Sequence, residues 1–111
     1  MKITTRQVNN VTIIAIKGKV TIGEGDVALR QAVNDTLNSG AKNILLDLSE
    51  VATIDSSGVG EVVSSYTTVT NRGGRLKLLR LPPKVVDILT ITQLITVFEI
   101  FETEDEAVAS F

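Results

Sequence analysis

The chain has 111 residues, 43% of them hydrophobic and 22% charged, and carries a net charge of -2 at pH 7. That length suits one domain, residues 1–111, around a single core, and the charge balance supplies no field that would attract nucleic acid. With no cysteine and no histidine, disulfides, thiolate chemistry, Cys/His zinc sites and Ser-His or Cys-His nucleophile pairs are excluded, so no catalytic residue, metal or cofactor is expected.

The start, Met1-Lys2-Ile3-Thr4-Thr5-Arg6, lacks the apolar centre of a secretory signal, and no apolar run approaches the roughly 18 residues that cross a bilayer. A cytoplasmic address without membrane insertion is the expectation. Ile3 to Val8 and Val11 to Lys17 are β-prone runs split by Asn9-Asn10, a pair that tolerates the left-handed backbone of a tight hairpin turn. The second run is apolar on both faces, as a covered strand should be, and the more polar first run reads as an edge.

Gly18 to Gly25 reads as a loop. Its Gly23-Glu24-Gly25 lacks the third glycine of a dinucleotide fingerprint. Leu29, Ala32, Val33, Thr36 and Leu37 then fall on one helix face, Gly40 is the left-handed stop, and Asn43 to Leu48 reads as a short buried strand. Beyond the turn Ser49 to Ser57, apolar residues recur at Val59, Val62, Val63, Tyr66 and Val69 with helical spacing, although the run is rich in β-branched residues. The period outweighs the propensity, because the run is too long for a strand, is capped in front and stops at Arg72-Gly73-Gly74. Leu76 to Leu81 is the next strand, Pro83 suits the first position of a short helix, and Val97 to Phe101 is the last strand. Thr103 and Glu106 have the spacing of a capping box for a terminal helix. The order β-β-α-β-α-β-α-β-α predicts an α/β fold: a mixed sheet, with an N-terminal hairpin followed by parallel strands, and four helices. In such sheets ligands and partners meet the carboxyl ends of the parallel strands, where Gly18 to Gly25, Ser49 to Ser57 and Leu81 to Pro83 should gather.

The stretch Val51 to Gly60, read VATIDSSGVG, carries the only chemistry in prospect. Asp55, Ser56 and Ser57 are good helix N-caps, and capping alone is one reading of them. The other is a phosphorylatable turn, since a phosphate there would meet a helix N-terminus, which favours anions. Gly58 and Gly60 weaken the helix that follows, either to clear space for a partner or to let the helix pack closely on the sheet. Asp47 reads either as a contact for a regulatory enzyme or as a solvated strand-end acid.

Asp47-Leu48-Ser49, Val51 and Ile54-Asp55-Ser56-Ser57-Gly58-Val59-Gly60 resemble the signature of the STAS domain family, specifically the bacterial anti-sigma factor antagonists. The likeness extends to Gly18, the Gly73-Gly74 turn, Pro82-Pro83-Lys84-Val85 and the segment Thr92 to Phe98. The resemblance implies a partner switch. The unphosphorylated protein binds an anti-sigma factor that is itself a serine kinase and so frees the sigma factor; phosphorylation ends binding, and a PP2C-type phosphatase reverses it. The resemblance puts the phosphate on Ser56, with Ser57 as the alternative, and makes the protein a substrate rather than an enzyme. Partner contacts are then expected from Asp55, Ser56, Ser57, Gly58, Val59 and Gly60, and from Lys19, Thr21, Ile22 and Gly23 in the first loop, where the chain departs from the acidic stretch common in the family. STAS-like domains also serve lipid-transport ABC systems and stress-signalling scaffolds, and the intact Asp-Ser-Ser-Gly argues against the transporter role.

Overall fold

The structure, a computed structural model, describes residues 1–111. A hairpin of β1 (Lys2–Val8) and β2 (Val11–Val20) leads into α1 (Gly25–Asn38), β3 (Asn43–Ile54), α2 (Ser56–Asn71), β4 (Arg75–Leu79) and α3 (Pro83–Ile91). A 3-10 turn (Leu94–Thr96), β5 (Ile100–Phe101) and α4 (Glu104–Ala109) complete the chain. The strands lie in the order β1-β2-β3-β4-β5, with β1 antiparallel to β2 and every later pairing parallel. The expected mixed α/β fold and the edge position of β1 are both present. In the hairpin turn, Asn9 takes the left-handed conformation.

The sheet separates two layers of core. Ile14, Ile16 and Val20 of β2, Ile44, Leu46 and Leu48 of β3 and Leu76 and Leu78 of β4 pack with Leu29, Val33 and Leu37 of α1, Val59, Val62 and Val69 of α2, and Val85 and Leu89 of α3. The opposite face holds a smaller cluster of Val11, Ile13, Leu45 and Leu79 under Ala107, with Val8, Phe101, Val108 and Phe111 against it. Burying an aliphatic side chain of this size contributes about 1.5–3 kcal/mol, so the larger layer dominates and ties the three helices to one face.

The β-branched run of α2 is helical over Ser56–Asn71 as its period predicts, with Thr67 turning its hydroxyl back to the Val63 carbonyl at 3.2 Å. Helix termini also follow the sequence. Gly40 and Gly73 are left-handed after α1 and α2, Pro83 opens α3, and the Thr103 hydroxyl accepts from the Glu106 amide.

Strand lengths differ from expectation. β3 does not end at Leu48 but continues to Ile54, and β2 continues through Gly18 to Val20. Two irregularities in the ladder explain why this was hidden. Ala15 pairs with Asp47 and Lys17 with Glu50, so two residues of β3 oppose one of β2, and Ala52 is a second extra residue between the Gly18–Val51 and Lys19–Thr53 pairs. Each bulge breaks the period-2 alternation, and the adjacent polar pair Ser49-Glu50 reads as a turn. Gly18, at φ +110°, supplies the backbone conformation that only glycine adopts freely. The last strand is shorter than Val97 to Phe101, because Phe98 turns into the core against the Tyr66 ring and only Ile100 and Phe101 pair with β4.

Candidate functional site

The extension of β2 and β3 builds the site. β4 leaves the sheet opposite Asp47, while β2 and β3 carry on together to Val20 and Ile54. Two chain segments far apart in sequence therefore emerge side by side: the loop Thr21 to Glu24 and the start of α2. The third expected segment, Leu81 to Pro83, leaves at the lower level of Asp47.

Asp55 joins the two. It is the N-cap of α2, and its Oδ1 accepts a hydrogen bond from the Gly58 amide at 2.9 Å. Its Oδ2 accepts from the Ile22 amide at 3.0 Å, across to the loop. These bonds, Gly58 first and Ile22 second, hold the Asp55 carboxyl below its usual pKa, since main-chain donors favour the ionised form. Capping is thus one of two jobs for this residue. Of the three candidate caps, it is Asp55 that takes a first-turn amide.

Ser56 follows as the first residue of α2 and is exposed, whereas Ser57 is half-buried. Gly58 and Val59 are buried, which places them beneath the surface rather than on it. A Cβ on Gly58 would collide with the Val20 carbonyl and lie 2.7 Å from the Ile54 side chain, while one on Gly60 would meet nothing within 4 Å. The two glycines therefore separate: close packing of helix on sheet accounts for Gly58, and Gly60 is open space on the exposed face. Lys19, Ile22 and Gly23 are exposed and Thr21 is half-buried, with Ile22 at 74% exposure forming an apolar tip held by its own main chain. Asp47 pairs in register with Ala15 and Leu79 on the α4 side of the sheet, and its Oδ1 accepts from the Ser49 amide at 3.1 Å.

One feature of α2 escaped the sequence reading. Glu61, its only charged residue, is buried and meets Arg30 of α1 at 3.2 Å, bracing the two helices one turn beyond Ser57. A single charge in an otherwise neutral amphipathic helix is the signal that could have found it. No helix is long and apolar enough to cross a membrane.

Comparison with known proteins decides the family. The model of the STAS domain matches residues 2–107. The chain belongs to the STAS domain family. Among STAS relatives, a Thermotoga neapolitana protein assigned as an anti-sigma factor antagonist is 31% identical over 100 residues, covering 90% of this chain and 88% of its own. The anti-sigma F factor antagonist of Paenibacillus polymyxa is 24% identical over 97 residues, covering 87% and 83%. The crystal structure of a Thermotoga maritima protein with the same assignment superposes with a TM-score of 0.88 at 29% identity, covering 97% of this chain and 92% of that one. The Bacillus cell-fate determinant SpoIIAA in its phosphorylated form superposes at 0.76 with 22% identity, covering 98% of each chain. At that identity the likeness to SpoIIAA is one of fold.

Proposed function

We propose that this STAS domain is an anti-sigma factor antagonist that works by partner switching, with Ser56 as the phosphorylated residue. The observation that carries the reading is the setting of Ser56. Its hydroxyl lies exposed at the start of α2, beside an Asp55 whose two carboxylate oxygens are already occupied. The partner is an anti-sigma factor with serine kinase activity, a PP2C-type phosphatase resets the switch, and the domain itself is a substrate without catalytic machinery. The relatives named as anti-sigma factor antagonists support the role.

The electrostatics give the switch its direction. Phosphorylation adds about -1.5 to -2 charges and three strong acceptors. In the free protein the phosphate stays hydrated, and the N-terminus of α2 offsets part of the repulsion from Asp55. Inside a packed interface an unpartnered phosphate costs about 3 kcal/mol or more, roughly two orders of magnitude in affinity. The fold need not change, because Ser56 makes no contact on which the core depends.

Incubation with the cognate kinase and ATP, followed by mass spectrometry, tests the reading. Phosphate on Ser56 that is lost in Ser56→Ala and kept in Ser57→Ala is the expected result. Ser56→Asp should bind the kinase about 100-fold more weakly with an unchanged circular dichroism spectrum. Modification of Ser57 alone, or tight binding by the phosphorylated form, would overturn it.

A further inference from the structure

The open edge of the sheet is β1. Val8 and Val11 flank the tight turn Asn9-Asn10, so they form a hydrogen-bonded pair of the antiparallel ladder, and such pairs recur at every second residue. Lys2, Thr4, Arg6 and Val8 therefore turn their main-chain groups toward β2, and Ile3, Thr5 and Gln7 turn theirs outward. No main-chain bond outside the helices and strand ladders involves β1, and the Arg6 side chain bonds Glu104 rather than this edge. Thr4, Thr5, Arg6 and Gln7 are all exposed and Ile3 is half-buried. The outward groups face solvent.

Edge strands are commonly blunted by proline, by a bulge or by a covering segment. β1 has none of these: it holds unbroken register with β2 over 7 residues and contains no proline. Between β1 and α1 lies a cleft of about 610 Å³, lined by Thr5, Gln7, Asp35 and Ser39 among others, which keeps the helix side of the edge clear. Of the charges on the strand, Arg6 is balanced by Glu104 and Lys2 stands at the end.

We propose that β1 pairs antiparallel with β1 of a second copy of the chain, joining the two sheets into one. Centred on Thr5, this pairing uses every outward group. Ile3 faces Gln7 of the second copy, Thr5 faces its twin and Gln7 faces Ile3, each opposed pair exchanging main-chain hydrogen bonds. Directly opposed residues share a face of the sheet, so the other face sets Thr4 against Arg6 and Lys2 against Val8. No like charges are opposed, and the central pair is two threonines, a favourable match across strands. A centre at Thr4 would oppose Lys2 to Arg6, and a centre at Arg6 would oppose that residue to itself, both destabilising. The charges of β1 thus admit a second copy in one register. Because the two strands run in opposite directions, the Ser56 sites lie at opposite ends of the joined sheet and neither copy covers the other's. The edge is short, so the dimer is weak and concentration-dependent.

A dilution series of the ¹⁵N-labelled protein from millimolar to micromolar concentration, followed by NMR and sedimentation velocity, tests the proposal. Concentration-dependent shifts largest at the amides of Ile3, Thr5 and Gln7 are expected, with a sedimenting dimer at the upper end. Thr5→Pro removes an outward N–H and leaves the ladder to β2 in place, so it should abolish dimerisation. Thr5→Lys sets like charges against each other at the centre and should weaken the dimer about tenfold. A monomer at every concentration, or association whose shifts lie away from β1, overturns the proposal on the wild type alone, whether or not a variant folds. So does a folded Thr5→Pro that dimerises as the wild type does.

Discussion

A methyl group separates the two glycines of the α2 start. On Gly58 it would drive the helix off the Val20 carbonyl and the Ile54 side chain, and forced overpacking of this kind costs about 1–3 kcal/mol. On Gly60 it would stand in open space on an exposed helical position, where alanine is favoured over glycine by about 0.5–1 kcal/mol. Denaturant unfolding should therefore show a lower midpoint for Gly58→Ala and a higher one for Gly60→Ala; equal shifts would remove the distinction. Asp55 supplies a pH dependence of definite sign. Its folded pKa lies below the ordinary value of 3.8, so its contribution to stability is complete above that value and is lost as pH falls through the folded value. Asp55→Asn should be less stable than the wild type at neutral pH, and the gap, followed by urea titrations at successive pH values, should close in acid. A gap that is constant with pH would mean that the charge is not what matters. Of this site the sequence displayed the cap and the serines, because capping is local. It could not display the Ile22 bond, which depends on β2 and β3 running on side by side.

Helix α4 is the element most dependent on a single side chain. It has six residues, too few to be stable alone, and one of its residues, Ala107, is fully buried. Lys77 reaches from β4 to the end of this helix, donating to the Ser110 carbonyl at 2.8 Å and hydroxyl at 3.0 Å, with its ammonium 4.8 Å from the centre of the Phe111 ring. At the other end, Arg6 of β1 bonds Glu104. Lys77→Met keeps the aliphatic stem and removes the donors, at a cost of about 1.5–3 kcal/mol for hydrogen bonds to a charged group. Hydrogen exchange should rise first in the amides of α4 while those of α2 keep their protection; a uniform rise would show that α4 unfolds only with the whole. Helices were the legible elements, since a 3.6-residue period and local caps survive in any context. The strands were less so. Bulges disguised half of β3 as a turn, and the buried Phe98 made a segment that leaves the sheet look like a continuation of it.

On the scale of the whole molecule, the two ends of the sheet differ in how far its strands extend. At the carboxyl end, two extended strands carry an acid, an exposed serine and an apolar loop tip beyond the level where the other strands stop. The order of elements and the mixed sheet were readable because hydrophobic periodicity encodes them; the extra length of β2 and β3 was not, since the bulges interrupt that periodicity. The bond between Asp55 and residue 22 has a wider consequence. It is made to a main-chain N–H, so it is indifferent to which side chain position 22 carries, and proline alone is barred for want of the proton. The tip can therefore exchange isoleucine for a charged, polar or aromatic residue to suit a different partner, while the serine beside Asp55 keeps its place. In the proposed switch, the loop tip and the serine are thus physically linked but chemically free to change apart.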